Sequence, residues 1–150
     1  MVHPESVIHS CVEYTDGSML SQMGTPDMRT PISYTLAYPD RITTNVQRLN
    51  LYQIKKLTFF EPDLTKYPCL ELAYNSLKIG KSAPTILNAA NEIAVDAFLR
   101  KEIRFLSISK VVEKTLNKSS FSNINSIKDV IELDSISREE TIDIIKSGSY

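Results

Sequence analysis

Residues 3–39, HPESVIHSCVEYTDGSMLSQMGTPDMRTPISYTLAYP, hold the densest local instructions in the chain. Ser6–Tyr14 alternates as a strand does. Val7, His9, Cys11 and Glu13 are expected on one side, and Ile8, Ser10, Val12 and Tyr14 on the other. Asp16-Gly17 is a strong hairpin signal and predicts a type I′ turn, which needs positive φ at both positions. Ser18–Met23 then returns as a second strand. Two strands are marginal in water, so the hairpin is expected to join a larger sheet or lie against helices. Thr30-Pro31 reads as N-cap followed by first helical position, where the missing N–H of proline costs nothing. That helix is expected to stop before Pro39, with Ile32 and Leu36 on one face.

Outward from this stretch the pattern weakens. Pro39 to about Leu57 reads as a connection, with a short strand near Leu57–Phe60. Beyond Pro62 the apolar spacing becomes helical. Pro68–Ile79 carries Cys69, Leu72, Ala73, Ser76 and Leu77 on one stripe and ends at Gly80. Pro84–Phe98 is expected to be the most buried helix, because Ala89, Ala90, Ala94 and Ala97 let neighbours approach closely. Ser107–Leu116 follows. Lys118–Asn125 is rich in Ser and Asn and reads as a loop. Ser126-x-x-Asp129 predicts a capped helix to Leu133, and Asp134 is read as the cap of a last one. The expected class is α+β: a β-hairpin as a sheet fragment, a linker, then an α-helical bundle of four or five helices.

The chain has 150 residues, enough for a sizeable core, and its net charge of −1 gives no global attraction to nucleic acid or to an anionic membrane. No apolar run is long enough to span a bilayer. Cys11 and Cys69 read as small buried hydrophobes in a reducing compartment. The four glycines form no G-x-G-x-x-G or P-loop pattern, so no dinucleotide fold is expected within these residues.

Three constellations could carry chemistry. His3, His9 and Cys11 are the only grouped soft ligands; they could hold zinc or iron, or simply face a core. The loop Pro26-Asp27-Met28-Arg29-Thr30-Pro31 is stiffened by its two prolines. It could present a side chain to a ligand, or serve as a helix entry with Asp27 accepting backbone N–H groups. Asn88, Asn91, Glu92 and Asp96 share a helix face. They are either solvated or a hydrogen-bonding row with a specific partner, since asparagine is a poor helix former.

HPESVIHS, Asp16-Gly17-Ser18, PDMRTPI, TLAYPDR, LTFFEPD, YPCLELA and LNAANEIAVDAFL, in this order, resemble 1-deoxy-D-xylulose 5-phosphate reductoisomerase. The resemblance runs from His3 to about Leu106 and weakly onward. It implies an NADPH-dependent oxidoreductase that rearranges a phosphosugar and reduces it to 2-C-methyl-D-erythritol 4-phosphate, in non-mevalonate isoprenoid synthesis. It also implies a divalent cation (Mn, Mg or Co), a homodimer, and a bacterial cytosol or plastid-like compartment. The family's metal ligands lie in an Asp-x-Glu motif and an Asn-Lys helix that precede the His-Pro motif, so catalytic and metal residues are not expected here. The resemblance assigns residues 1–38 to the end of the catalytic domain, 39–60 to a linker and 61–150 to the helical domain. It places Pro26 and Met28 beside the nicotinamide, and His3 and His9 in support behind the site. Two rival expectations are a non-catalytic dimerisation module and a small metal-binding protein built on His3, His9 and Cys11.

Overall fold

A computed structural model describes all residues, Met1–Tyr150. The elements are β1 (Ile8–Glu13), β2 (Met19–Met23), α1 (Arg29–Ala37), α2 (Leu51–Ile54), α3 (Pro68–Ile79), α4 (Ala83–Leu99), α5 (Ser107–Lys118) and α6 (Ile127–Ser147). The class is α+β. The chain divides into two compact units, Met1–Pro62 and Asp63–Tyr150.

In the first unit β1 and β2 pair antiparallel, from Glu13↔Met19 to Ser10↔Gln22 and then Ile8↔Met23. The register shifts between Ile8 and Ser10, so His9 sits at a bulge. The expected type I′ turn is not formed. Only Gly17 has positive φ (84°), and the Tyr14 N–H donates to the Ser18 carbonyl across a three-residue loop. That is a type I turn closed by a left-handed glycine. The Asp16 carboxylate accepts from both the N–H and the hydroxyl of Ser18, which fixes the corner.

A second tie joins the two ends of this unit. Val2 and Phe60 exchange both backbone hydrogen bonds. The Val7 N–H donates to His3 Nε2 at 3.2 Å, so Nε2 is the acceptor and Nδ1 carries the hydrogen that meets the Thr58 carbonyl at 2.9 Å. The His3 ring stacks on Phe59 at 4.8 Å. Thr58 donates its N–H and its hydroxyl to Glu5, and these bonds, the hydroxyl first, hold the Glu5 carboxyl below its usual range. The expected short strand near Leu57–Phe60 is thus a single bridge. The connection carries one helical turn, α2, capped by the Asn50 side chain.

The second unit is a bundle of four helices in which α4 packs against α3, α5 and α6. Ala83, Ala89, Ala90, Ala94 and Ala97 of α4 are buried, and they let the neighbouring backbones come close. Ile86, Ile103, Ile108, Val111, Val112, Leu116 and Ile144 fill the space around them. Fully burying Ile86 or Ile144 contributes about 1.5–3 kcal/mol each.

Two expectations fail in this unit. On α3 the expected apolar stripe is largely outside: Ser76 is its one buried residue, and Cys69, Ala73 and Leu77 are exposed. Ser126 does form a capping box with Asp129, but the helix it starts does not break at Asp134. Asp134 lies within a single α6 and pairs with Arg138 one turn on. Ser137 and Thr141 are buried on α6 because each hydroxyl donates back to the carbonyl four residues earlier.

Ala94→Leu is expected to destabilise the helical unit by about 1–3 kcal/mol through overpacking. A thermal melt checks this, and an unchanged curve would place that face in solvent. Amide hydrogens of Ile8–Met23 should exchange faster than those of α4, since the first unit buries only Val7 among its apolar side chains. The reverse order would mean that the hairpin has gained a partner.

Candidate functional site

A groove of about 540 Å³ opens between the end of β2 and α1. That size suits a small organic ring with its substituents. Pro26, Met28 and Pro31 supply its apolar wall, and His9, Thr25, Asp27, Tyr34 and Arg41 its polar positions.

Asp27 builds the loop. Its carboxylate accepts from the Arg29 N–H at 2.9 Å, from Nε at 3.0 and 3.1 Å and from Nη2 at 2.6 Å. Its carbonyl accepts from the Thr30 N–H. These bonds start α1 at Arg29, one residue before the position predicted for the cap, and put Pro31 in the first turn. The Arg29 side chain, then its N–H, pulls the Asp27 carboxyl down to about 2. Asp27 is therefore a helix-entry and pairing residue. The next side chain, Met28, is left 70% exposed, with its thioether available to a ligand. Thr25 donates its hydroxyl to the Gln47 carbonyl at 2.6 Å and anchors the near end of the same loop.

Tyr34 and Arg41 form the far wall. The Arg41 guanidinium lies over the Tyr34 ring, 4.4 Å from its centroid, and Tyr38 meets Tyr34 edge-on. The sequence reading singled out neither residue. Arg41 returns to the groove only because the chain turns back after α1, which no local pattern announces.

The other predicted residues do not assemble into a centre. The His9 ring bonds the Ser6 carbonyl, and Cys11 Sγ lies 3.2 Å from Ser21 Oγ across the hairpin, while His3 serves the tie to Thr58. The bulge at His9 breaks the alternation that was expected to align it with Cys11. Nowhere do three His, Cys, Asp or Glu side chains come together as metal ligands. Cys11 is half-buried and Cys69 exposed, so neither is the buried hydrophobe expected.

On α4, Asn88 donates to Glu92, and Glu92 accepts from Arg138 of α6 at 2.5 Å. Arg138, then Asn88, holds the Glu92 carboxyl below its usual range. Asp96 pairs with Arg100 near the end of the same helix, and Asn91 is exposed. Of this row Glu92, held by Asn88, forms a strut from α4 to α6.

The profile of the DXP reductoisomerase C-terminal domain matches residues 23–140. The chain is 48% identical to the 1-deoxy-D-xylulose 5-phosphate reductoisomerase of Geotalea daltonii, over 97% of this chain and 38% of that protein. It is 50% identical to the enzyme of that name from Desulforamulus reducens, over 98% of this chain and 38% of that protein. The solved structure of the Zymomonas mobilis enzyme in complex with NADPH superposes with a TM-score of 0.87 at 48% identity, covering 95% of this chain and 38% of its own. A DOX-P reductoisomerase solved with NADPH, fosmidomycin and magnesium superposes at 0.85 with 41% identity, covering 96% of this chain and 38% of its own. The chain thus spans 38% of the length of these relatives. With a family profile across most of its length and near-half identity to such relatives, this chain belongs to the DXP reductoisomerase C-terminal domain family.

Proposed function

We propose that the chain acts as the C-terminal part of a reductoisomerase that converts 1-deoxy-D-xylulose 5-phosphate to 2-C-methyl-D-erythritol 4-phosphate. The observation that carries this is the match to the NADPH-bound Zymomonas mobilis enzyme at 48% identity over 95% of this chain. In this reading residues 1–38 complete the catalytic domain, 39–60 link it onward and 61–150 form the helical domain. The whole enzyme would be a homodimer using NADPH and a divalent cation. The free thiols Cys11 and Cys69 suit a reducing compartment, a bacterial cytosol or its plastid equivalent.

The groove fits the nicotinamide end of NADPH. A flat ring with an amide substituent needs apolar faces and a few polar positions, and Pro26, Met28 and Thr25 offer both. When bound, NADPH supplies the hydride that reduces the rearranged sugar. The part left to this chain is positioning. The exposed Met28 would cover one side of the ring, and the two prolines with the Asp27–Arg29 clamp would keep it from swinging away. The cation does not fit these residues, because no cluster of ligating side chains is present.

A chimera tests the proposal. The matching C-terminal part of the Zymomonas mobilis enzyme is exchanged for this chain, and NADPH oxidation is followed with 1-deoxy-D-xylulose 5-phosphate and manganese. The chimera is expected to turn over, and an inactive but folded one would sink the reading. In that chimera Met28→Ala should weaken NADPH by about 1–2 kcal/mol of lost apolar contact and leave the manganese dependence unchanged. A shift in the manganese dependence alone would remove the loop from the nicotinamide side.

The loop should also respond to acid. The Asp27 carboxyl is depressed in the folded state, so its pairing stabilises the loop fully above the ordinary value of about 3.9. That contribution is lost as the pH falls toward about 2. A carbon-detected NMR titration of Asp27 is expected to give a midpoint near 2 rather than near 4, and Asp27→Asn should abolish the acid response of the α1 amides.

A further inference from the structure

We propose that Arg41, held on the Tyr34 ring, is a phosphate-binding residue of the groove that carries Pro26 and Met28. The proposal rests on the reading that this groove takes the nicotinamide end of a dinucleotide, and it adds the group that would anchor what lies beside the ring.

Three observations lead there. First, Arg41 is exposed and has no carboxylate partner within ion-pair distance, whereas Arg29, Arg100 and Arg138 are each committed to an acid. Second, its guanidinium is already placed. Contact with the Tyr34 ring at 4.4 Å fixes the planar group, and Tyr38 packs edge-on against that ring. A guanidinium lying on an aromatic face keeps its N–H edge free for two parallel bonds to an oxyanion. Third, the groove is positive where it matters. Asp27 is the only acid lining it, and its carboxylate is neutralised by the four contacts from Arg29. Arg41 is then the uncompensated charge among the lining residues, and the Nε2 of the other basic side chain there, His9, is turned to the Ser6 carbonyl.

Carboxylates and phosphates both accept such a fork, and phosphate is the anion that the molecules of the proposed reaction carry. Two molecules of the proposed reaction bring one: the dinucleotide through its diphosphate, and the sugar through its phosphomonoester. The groove of about 540 Å³ has room for a ring and a phosphate.

The 150-residue chain, labelled for NMR, is titrated with inorganic pyrophosphate, NADPH, 1-deoxy-D-xylulose 5-phosphate and nicotinamide riboside. Concentrations run to about 10 mM, where millimolar Kd values register. The phosphate-bearing probes should move the Arg41 Nε–H and Tyr34 ring signals saturably. Arg41→Gln should weaken them by about tenfold or more, the worth of a lost charge-assisted hydrogen bond. Arg41→Lys should fall between, since an ammonium keeps the charge and loses the fork. The amide signals of Glu13 and Gly17 show that the hairpin is intact in each variant. Tighter binding of NADPH than of the sugar phosphate assigns the site to the dinucleotide, and the opposite order assigns it to the substrate. Absence of a saturable shift, or equal binding by Arg41→Gln, overturns the phosphate site. If the Met28 methyl moves with nicotinamide riboside while Arg41→Gln binds NADPH as the parent does, the phosphate site falls and the nicotinamide reading stands. If phosphate binds through Arg41 while that methyl stays still with every nicotinamide probe, the converse holds.

Discussion

The small side chains of α4 set the dimensions of the helical unit. Ala89, Ala90, Ala94 and Ala97 are buried, and a methyl group is all that separates the α4 backbone from its neighbours there. The larger residues are supplied by the surrounding helices and turns, with Val111, Val112 and Leu116 from α5 and Ile144 from α6. Packing at crystal-like density is what makes such an arrangement specific, because each methyl has one place to go. The Glu92–Arg138 strut and the Thr115–Thr141 hydroxyl pair at 3.3 Å then fix α4 and α5 against α6 in register. Satisfied polar groups of this kind add little net energy but disfavour sliding, since a slip would leave them unpaired.

The first unit is organised on a different principle. It buries one apolar side chain, Val7, and leaves Val12, Tyr14, Leu20, Ile32 and Leu36 more than half exposed. Its order comes from directional contacts: the Asp16 corner, the Asp27–Arg29 clamp, and the His3, Glu5 and Thr58 tie. Such contacts are short-ranged and position backbone well, which suits a region whose proposed task is to present Met28 and Arg41 rather than to supply a core.

The sequence made the helices legible wherever apolar spacing and chain punctuation agreed. Pro68, Gly80 and the alanine run bounded α3 and α4, and Ser126 with Asp129 marked the start of α6. It misled where one residue type serves two purposes. Asp134 looks like a cap, yet the same carboxylate one turn before Arg138 strengthens a continuous helix. The stripe assigned to α3 failed because spacing identifies a face and not what covers it. The stiffness of the Pro26–Pro31 loop could be read from its prolines, and the Asp27 helix entry was one of two open readings. The pairing of Arg41 with Tyr34 could not be read, because it depends on how the chain returns after α1. The bulge that reorients His9 was equally hidden, since strict alternation is the only register a single strand can suggest.

The bridge between Val2 and Phe60 has a kinetic meaning. It closes nearly the whole first unit into a ring, and such a contact forms only after the intervening chain has given up its freedom. The hairpin, whose partners lie within a few residues of Gly17, can form early and alone. The His3 clasp must wait for the far end to arrive. Unit one should therefore assemble from its middle outward, with closure of the ring as its late, slow event, while the local contacts of the helices let the bundle fold quickly.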